Sequence, residues 1–180
     1  MLKALQRLRH SRGFGVHSPY AYRFVGSVIN PPRGYAYYAE REIEGTLTKE
    51  PMRYRLETKA RTLLRIAAFT NPKSAYLPVS AHKCFRFVLR AVNRHIRLTD
   101  SVAKIESVDL LATSGNDIPL DKLRGFISQP GKTLLIRNVP SDWIEPLFES
   151  MKEGVMFEGK TNCILLSRPA IWKVRYLMKL

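Results

Sequence analysis

The chain has 180 residues, 45% of them hydrophobic, which suffices for one domain with a full core and excludes both a second large domain and a disordered chain. Its net charge of +15 arises from 30 Lys and Arg against 15 Asp and Glu, and residues 1–104 hold 20 of the basic but only 6 of the acidic side chains. Such asymmetry is the footprint of a polyanion partner, whether RNA, DNA or anionic lipid, and is equally compatible with a solvated surface. Cys84 and Cys163 lie far apart in apolar surroundings without paired-ligand spacing, so no zinc motif can be drawn and reduced core thiols are expected.

In residues 1–9 leucines recur at helical spacing among basic residues, with no continuous apolar run. This reads as a basic helix rather than a secretory signal or transmembrane segment, and the expectation is a soluble, cytoplasmic protein. Gly13 and Gly15 then permit an unusual loop, and Ser18-Pro19 supplies an N-cap followed by proline at the first helical position, predicting a helix through about Ile29. Gly13, Gly15, Val16, His17, Ser18, Pro19 and Tyr20 fit a Gly-x-Gly-Val-His-Ser-Pro-aromatic stretch. In this the chain resembles a bacterial group of class I S-adenosylmethionine-dependent methyltransferase-like proteins, best known from Bacteroidota. His17, without a partner in sequence, reads as a capping or loop-packing residue.

The resemblance implies a three-layer α/β fold: a reduced Rossmann-like methyltransferase sheet ending in an antiparallel hairpin, over residues 71–180, with a basic N-terminal helical extension over 1–70. Asn30-Pro31-Pro32-Arg33-Gly34 ends the helix, and residues 35–44 restart helical character with tyrosines and Glu-Ile-Glu that also resemble the family. Pro51 to Thr70 reads as a longer helix, with Leu56, Ala60, Leu63, Leu64, Ala67 and Ala68 facing the sheet.

Residues 74–79 read as the first strand, feeding a helix from Ser80 or Ala81 to about Arg94. The resemblance implies an acidic residue and a glycine-rich turn here, next to the methionine part of the cofactor. Leu77 and Pro78 stand where the acid would fall, and no glycine occurs between Gly45 and Gly115, so close backbone approach to a ligand is not provided. Free N–H groups near Ser80 could still meet an anion. Arg86, Arg90 and Arg94, at i, i+4 and i+8, share one helix face as solvated charges or as phosphate contacts, with Arg7, Arg9 and Arg12 as the next candidates.

Residues 95–107 are too few for a complete strand-helix-strand unit, so the first strand is expected to border the strand at 108–113 directly. A less tidy alternative makes Ile96 to Thr99 a short strand without room for a parallel return, leaving Asp100 as a surviving ribose ligand. Ser114-Gly115-Asn116 resembles the family's Asp-Gly-Asn-His, with Ser114 replacing the acid. Residues 119–128 read as a helix and 131–136 as a buried strand, whose end, Arg137-Asn138, replaces the paired aspartates of related proteins and opposes a divalent metal. Ser141 or Asp142 should cap a helix over 143–152, and residues 155–177 resemble the family's terminal hairpin, with Arg168-Pro169 and the last five residues fitting its ending.

Remnant cofactor positions are therefore Ser80, Asp100, Ser114, Gly115 and Asn116, with no catalytic or metal residue assigned. No cofactor is expected, or S-adenosylmethionine if the protein is active. Three classes remain open: a catalytically degenerate methyltransferase-like protein, a divergent active methyltransferase, and a basic module that binds nucleic acid or, at an open sheet edge, a protein.

Overall fold

A computed structural model of the chain describes residues 2–13, 15–31, 58–81, 83–115 and 117–180. A mixed seven-stranded sheet lies between two layers of helices. Its strands are β1 (Ser74–Tyr76), β2 (Arg97–Thr99), β3 (Leu110–Ser114), β4 (Thr133–Arg137), β5 (Gly154–Glu158), β6 (Asn162–Ser167) and β7 (Val174–Leu177). They stand in the order β2-β1-β3-β4-β6-β5-β7. Only β6 runs against the others, pairing antiparallel with both β4 and β5. The expected α/β class and antiparallel hairpin are thus present, with β7 added parallel to β5 at the edge.

Burial on both sides explains the strand sequences, since β3 and β4 read as nearly continuous apolar runs rather than alternating ones. One face, with Ala75, Leu110, Leu135, Ile164 and Phe157, is covered by α2 (Pro19–Phe24), α3 (Thr58–Thr70) and α4 (Lys83–Val92). The other, with Tyr76, Leu111, Leu134, Ile136 and Leu165, is covered by α5 (Leu120–Ile127), α6 (Ile144–Ser150) and a 3₁₀ helix at Val102–Ser107. Among the described residues no helix is long and apolar enough to cross a membrane.

β1 borders β3 directly, as expected. Residues 97–99, however, form a strand parallel to β1, so the region does contain an outer strand with a parallel return. The return fits because β1 and β2 have only three residues each, about 10 Å of strand. Six residues of 3₁₀ helix, rising about 2 Å each, cover that distance. Helix α4 begins at Lys83, so Ser80 lies in an exposed turn before it, and it ends at Val92, leaving Arg94 beyond its end. Neither Ser141 nor Asp142 caps α6: a 3₁₀ turn at Ser141–Trp143 precedes it, and neither N-cap position makes a side-chain hydrogen bond. The reading of residues 35–44 and the first turns of the helix predicted from Pro51 lie outside the described residues.

The N-terminal segment is built into the same core. Ser18 Oγ accepts from the Ala21 N–H at 3.3 Å with Pro19 at the first helical turn, and α2 continues as a π turn over Val25–Ile29. Gly13 and Gly15 have φ of +84° and +77°, and a Cβ at Gly13 would stand 2.8 Å from the Tyr22 ring. Rings then run in contact from α3 to α1 (Leu2–Ser11): Phe69 to Phe24 at 5.1 Å, Phe24 stacked on Phe157 at 4.7 Å, Phe157 to Tyr176 at 6.0 Å, and Tyr176 to His10 at 5.7 Å. Such pairs contribute about 0.5–1.5 kcal/mol each beyond area burial.

Arg168 locks this extension to the sheet. Its Nε donates to the Tyr20 hydroxyl at 3.2 Å, Nη1 to the carbonyls of Lys132 and Ser167, and Nη2 to Thr133 Oγ1 at 3.0 Å. Arg168→Ala is expected to lower stability by about 2–3 kcal/mol, the scale for hydrogen bonds to a charged group. Urea unfolding should show a lower midpoint at unchanged m value.

Candidate functional site

In an open α/β sheet ligands sit in the crevice beyond the carboxyl ends of the strands. Here those ends are β1 at Tyr76, β2 at Thr99, β3 at Ser114 and β4 at Arg137. After β1 the chain passes through buried Leu77, whose N–H donates to the Thr99 carbonyl at 3.0 Å, and then Pro78, whose carbonyl accepts from Ala81.

Asp100 directly follows β2, where the resemblance implies a ribose ligand, but its carboxylate stands 3.4 Å from Arg86 Nη2. Two residues singled out for competing functions are therefore each other's partner. Both are substantially exposed, so the pair contributes under about 1 kcal/mol to stability, but it neutralises the charge that either function would use. Arg90 is exposed on the helix, whereas Arg94, in the turn beyond it, donates from Nε to His95 Nε2 at 2.9 Å. The three arginines thus do not form one continuous helical row, because the helix ends before the third.

The turn after β3 is stitched to the end of β4. The Gly115 N–H donates to the Arg137 carbonyl at 2.8 Å, and Ser114 Oγ donates to the same oxygen at 3.3 Å. A Cβ at Gly115 would press on the Asn138 carbonyl oxygen and stand 2.8 Å from Pro140 Cδ, so only glycine permits this approach of the two turns. Asp117 folds back, its Oδ2 accepting from the Ser114 N–H at 3.1 Å and from Thr113 Oγ1 at 3.5 Å. A carboxylate thus returns three residues after Ser114, but it is spent on the strand end. Asn116 lies outside the described residues.

Across the same edge, the Arg137 guanidinium lies over the Phe85 ring of α4, 4.9 Å from its centroid. Arg137 also lines a cleft of about 370 Å³ floored by Leu135 and Ile164 and flanked by Arg65 and Lys179. Among the described residues no group of three His, Cys, Asp or Glu side chains could hold a metal ion. In comparisons with protein-family models, curated proteins and solved structures, nothing matches this chain.

A larger groove lies elsewhere. It measures about 790 Å³ and runs between the loop carrying Gly15, His17 and Ser18 and the β6–β7 connection carrying Ala170, Ile171 and Trp172. His17 is exposed in its wall, and the cap is made by Ser18 instead. The glycines and Ser-Pro of the motif were legible in sequence. Trp172 was not, because a tryptophan between Ile171 and Lys173 carries no periodic signal that separates exposure from burial.

Both cysteines are buried thiols outside any disulfide; burial, with Glu158 second, pushes the Cys163 thiol up to about 12, which keeps it neutral in the fold. Tyr76 is likewise raised above its ordinary 10.0, by burial first, then by the carboxylates of Asp117 and Asp100. A raised folded value means that the unfolded phenol releases its proton first, so this contribution to stability is present below 10.0 and lost as pH rises through the folded value. Urea midpoints measured from about pH 8 to about pH 11 should fall more steeply for the native chain than for Tyr76→Phe.

Proposed function

We propose that the chain is a methyltransferase-like protein that has kept the parent sheet and lost the cofactor cradle, so that it holds S-adenosylmethionine poorly or not at all and transfers no methyl group. The strand order supports the ancestry: β1, β3 and β4 run parallel and antiparallel β6 is inserted before β5, the hairpin ending that the resemblance implies. The short β2 in front of β1 fits a sheet that has lost one outer strand.

The observation that carries the loss of binding is the closure at the carboxyl edge. Gly115 is bonded to the end of β4, and Arg137 lies on Phe85, so protein groups meet protein groups where the cofactor's methionine and ribose would need space and carboxylates. Leu77 and Pro78 offer no acid, Asp100 already faces Arg86, and Asp117 is bonded to the backbone of Ser114. A sulfonium cofactor beside Arg137 would also meet like charge. The residues present therefore do not fit S-adenosylmethionine, and no methyl-transfer step is derived from them.

Isothermal titration with S-adenosylmethionine, and with its demethylated product, should give no saturable heat. Binding tighter than about 100 μM, roughly 5.5 kcal/mol, would overturn the reading and favour a divergent active enzyme.

A further inference from the structure

We propose that the groove between the Gly15–Ser18 loop and the β6–β7 connection, extended along α1, binds single-stranded nucleic acid. This inference does not rest on the methyltransferase-like reading, since the groove is built from the N-terminal loop and the far edge of the sheet. A second hollow of about 600 Å³, lined by Arg9 and Arg12 of the α1 end, shares His10 and Gly15 with the first and continues it. Neither hollow has an Asp or Glu among its lining residues, and residues 1–39 contain none at all.

The cations here differ from those elsewhere in the fold. Arg9, Arg12 and Arg23 are exposed and have no carboxylate within 4.0 Å among the described residues. Arg7, by contrast, is turned to Glu158 and the Gly159 carbonyl, and Arg175, although it lines the groove, is paired with Glu145 at 2.6 Å and adds no free charge. Three solvated guanidinium groups along one groove are matched by a run of phosphates, which a single strand supplies at a spacing that follows a curved surface.

The stacking element is Trp172. Its side chain is 88% exposed, which for the largest apolar ring is unusual and costly unless something covers it. The loop that presents it is held in place: the Gly154 N–H donates to the Ile171 carbonyl at 2.8 Å, and the Ala170 N–H donates to Glu153 Oε2 at 2.8 Å. Ala170 adopts φ of +62°, a conformation that L residues rarely hold, so the connection keeps a strained turn two residues before the indole. An exposed ring on a fixed loop, beside a cationic groove that has no Asp or Glu among its lining residues, is an arrangement that binds bases by stacking and backbone by charge, without reading sequence. An anionic bilayer would also attract the arginines, but it asks for a convex apolar face, whereas here the rings of Tyr20 and Tyr176 line a concavity.

The test is fluorescence anisotropy with labelled single-stranded DNA and RNA homopolymers of about 12 nucleotides over a salt series. Arg9, Arg12 and Arg23 all changed to Gln should lower the slope of log K against log salt by about 2, at about 0.7 per phosphate contact. Trp172→Ala should weaken binding roughly 5- to 140-fold at unchanged slope, and Trp172→Phe should restore part of the loss. Changing Arg86, Arg90 and Arg94 to Gln should leave slope and affinity unchanged. All these side chains are solvated, and equal urea midpoints confirm that the variants fold. The proposal is overturned by no anisotropy change at low salt, by slope loss only in the Arg86 triple variant, by a duplex binding as tightly as the single strand with no effect of Trp172→Ala, or by binding confined to phosphatidylserine vesicles.

Discussion

The constraint on which the rest of this structure depends is the single hand of its crossovers. Connections that run from β2 to β3, from β3 to β4 and from β4 towards β5 all advance in one direction across the sheet, and their helices all lie on the face that holds Leu111, Leu134 and Ile136. Only the β1–β2 connection runs the other way, and it places α4 on the opposite face. One crossover helix cannot cover seven strands. The face over β4, β6, β5 and β7 would stand open to water were it not for α2 and α3, which supply Phe24, Leu63, Leu64 and Ile66 to it. The N-terminal segment is thus a structural part of the sheet's cover, and burying its large side chains contributes about 1.5–3 kcal/mol each.

That dependence explains why Arg168 and the aromatic contacts stand where they do. The extension meets the sheet through β5 and β7, whose Phe157 and Tyr176 receive Phe24 and His10. Apolar and ring contacts set distance but leave rotation soft, whereas a planar guanidinium with donors in fixed directions sets orientation. Arg168 ties the start of α2 to β4 and β6 at once, and so fixes the angle at which the Gly13–Ser18 loop leaves the surface. The two glycines at positive φ then bend that loop over the groove.

Much of this was legible in the residues. Continuous apolar runs marked β3, β4 and β6; the Ser18-Pro19 pair marked the start of α2; and the apolar stripe of Phe85, Val88 and Leu89 marked α4. The misplacements have physical causes. β2 was weighed only as an untidy alternative because a three-residue, half-exposed edge strand has no periodic signal, and its return was ruled out by assuming strands of ordinary length. The i, i+4, i+8 row of arginines presumed a helix running to residue 94, whereas the chain leaves the helix at Asn93, whose side chain donates to the Pro72 carbonyl. The Arg86–Asp100 pair was invisible because it joins an α4 residue to the end of β2, a contact that exists only once the parallel strand forms.

The edges of the sheet differ from the N-terminal segment in how their charges are met. At the carboxyl edge cations and anions answer one another or lie on rings: Arg86 with Asp100, and Arg137 on Phe85. Along the edge at β7, Arg175 and Arg7 share buried Glu158, while Lys173 lies over Phe148. In each case the protein supplies the counter-charge or the ring, which lowers the self-energy of the cation and removes it from use by a ligand. Arg9, Arg12 and Arg23 receive no such partner from the described residues. Free charge is therefore concentrated along the N-terminal segment, beside the loop held by Arg168, and is neutralised at the carboxyl edge of the sheet.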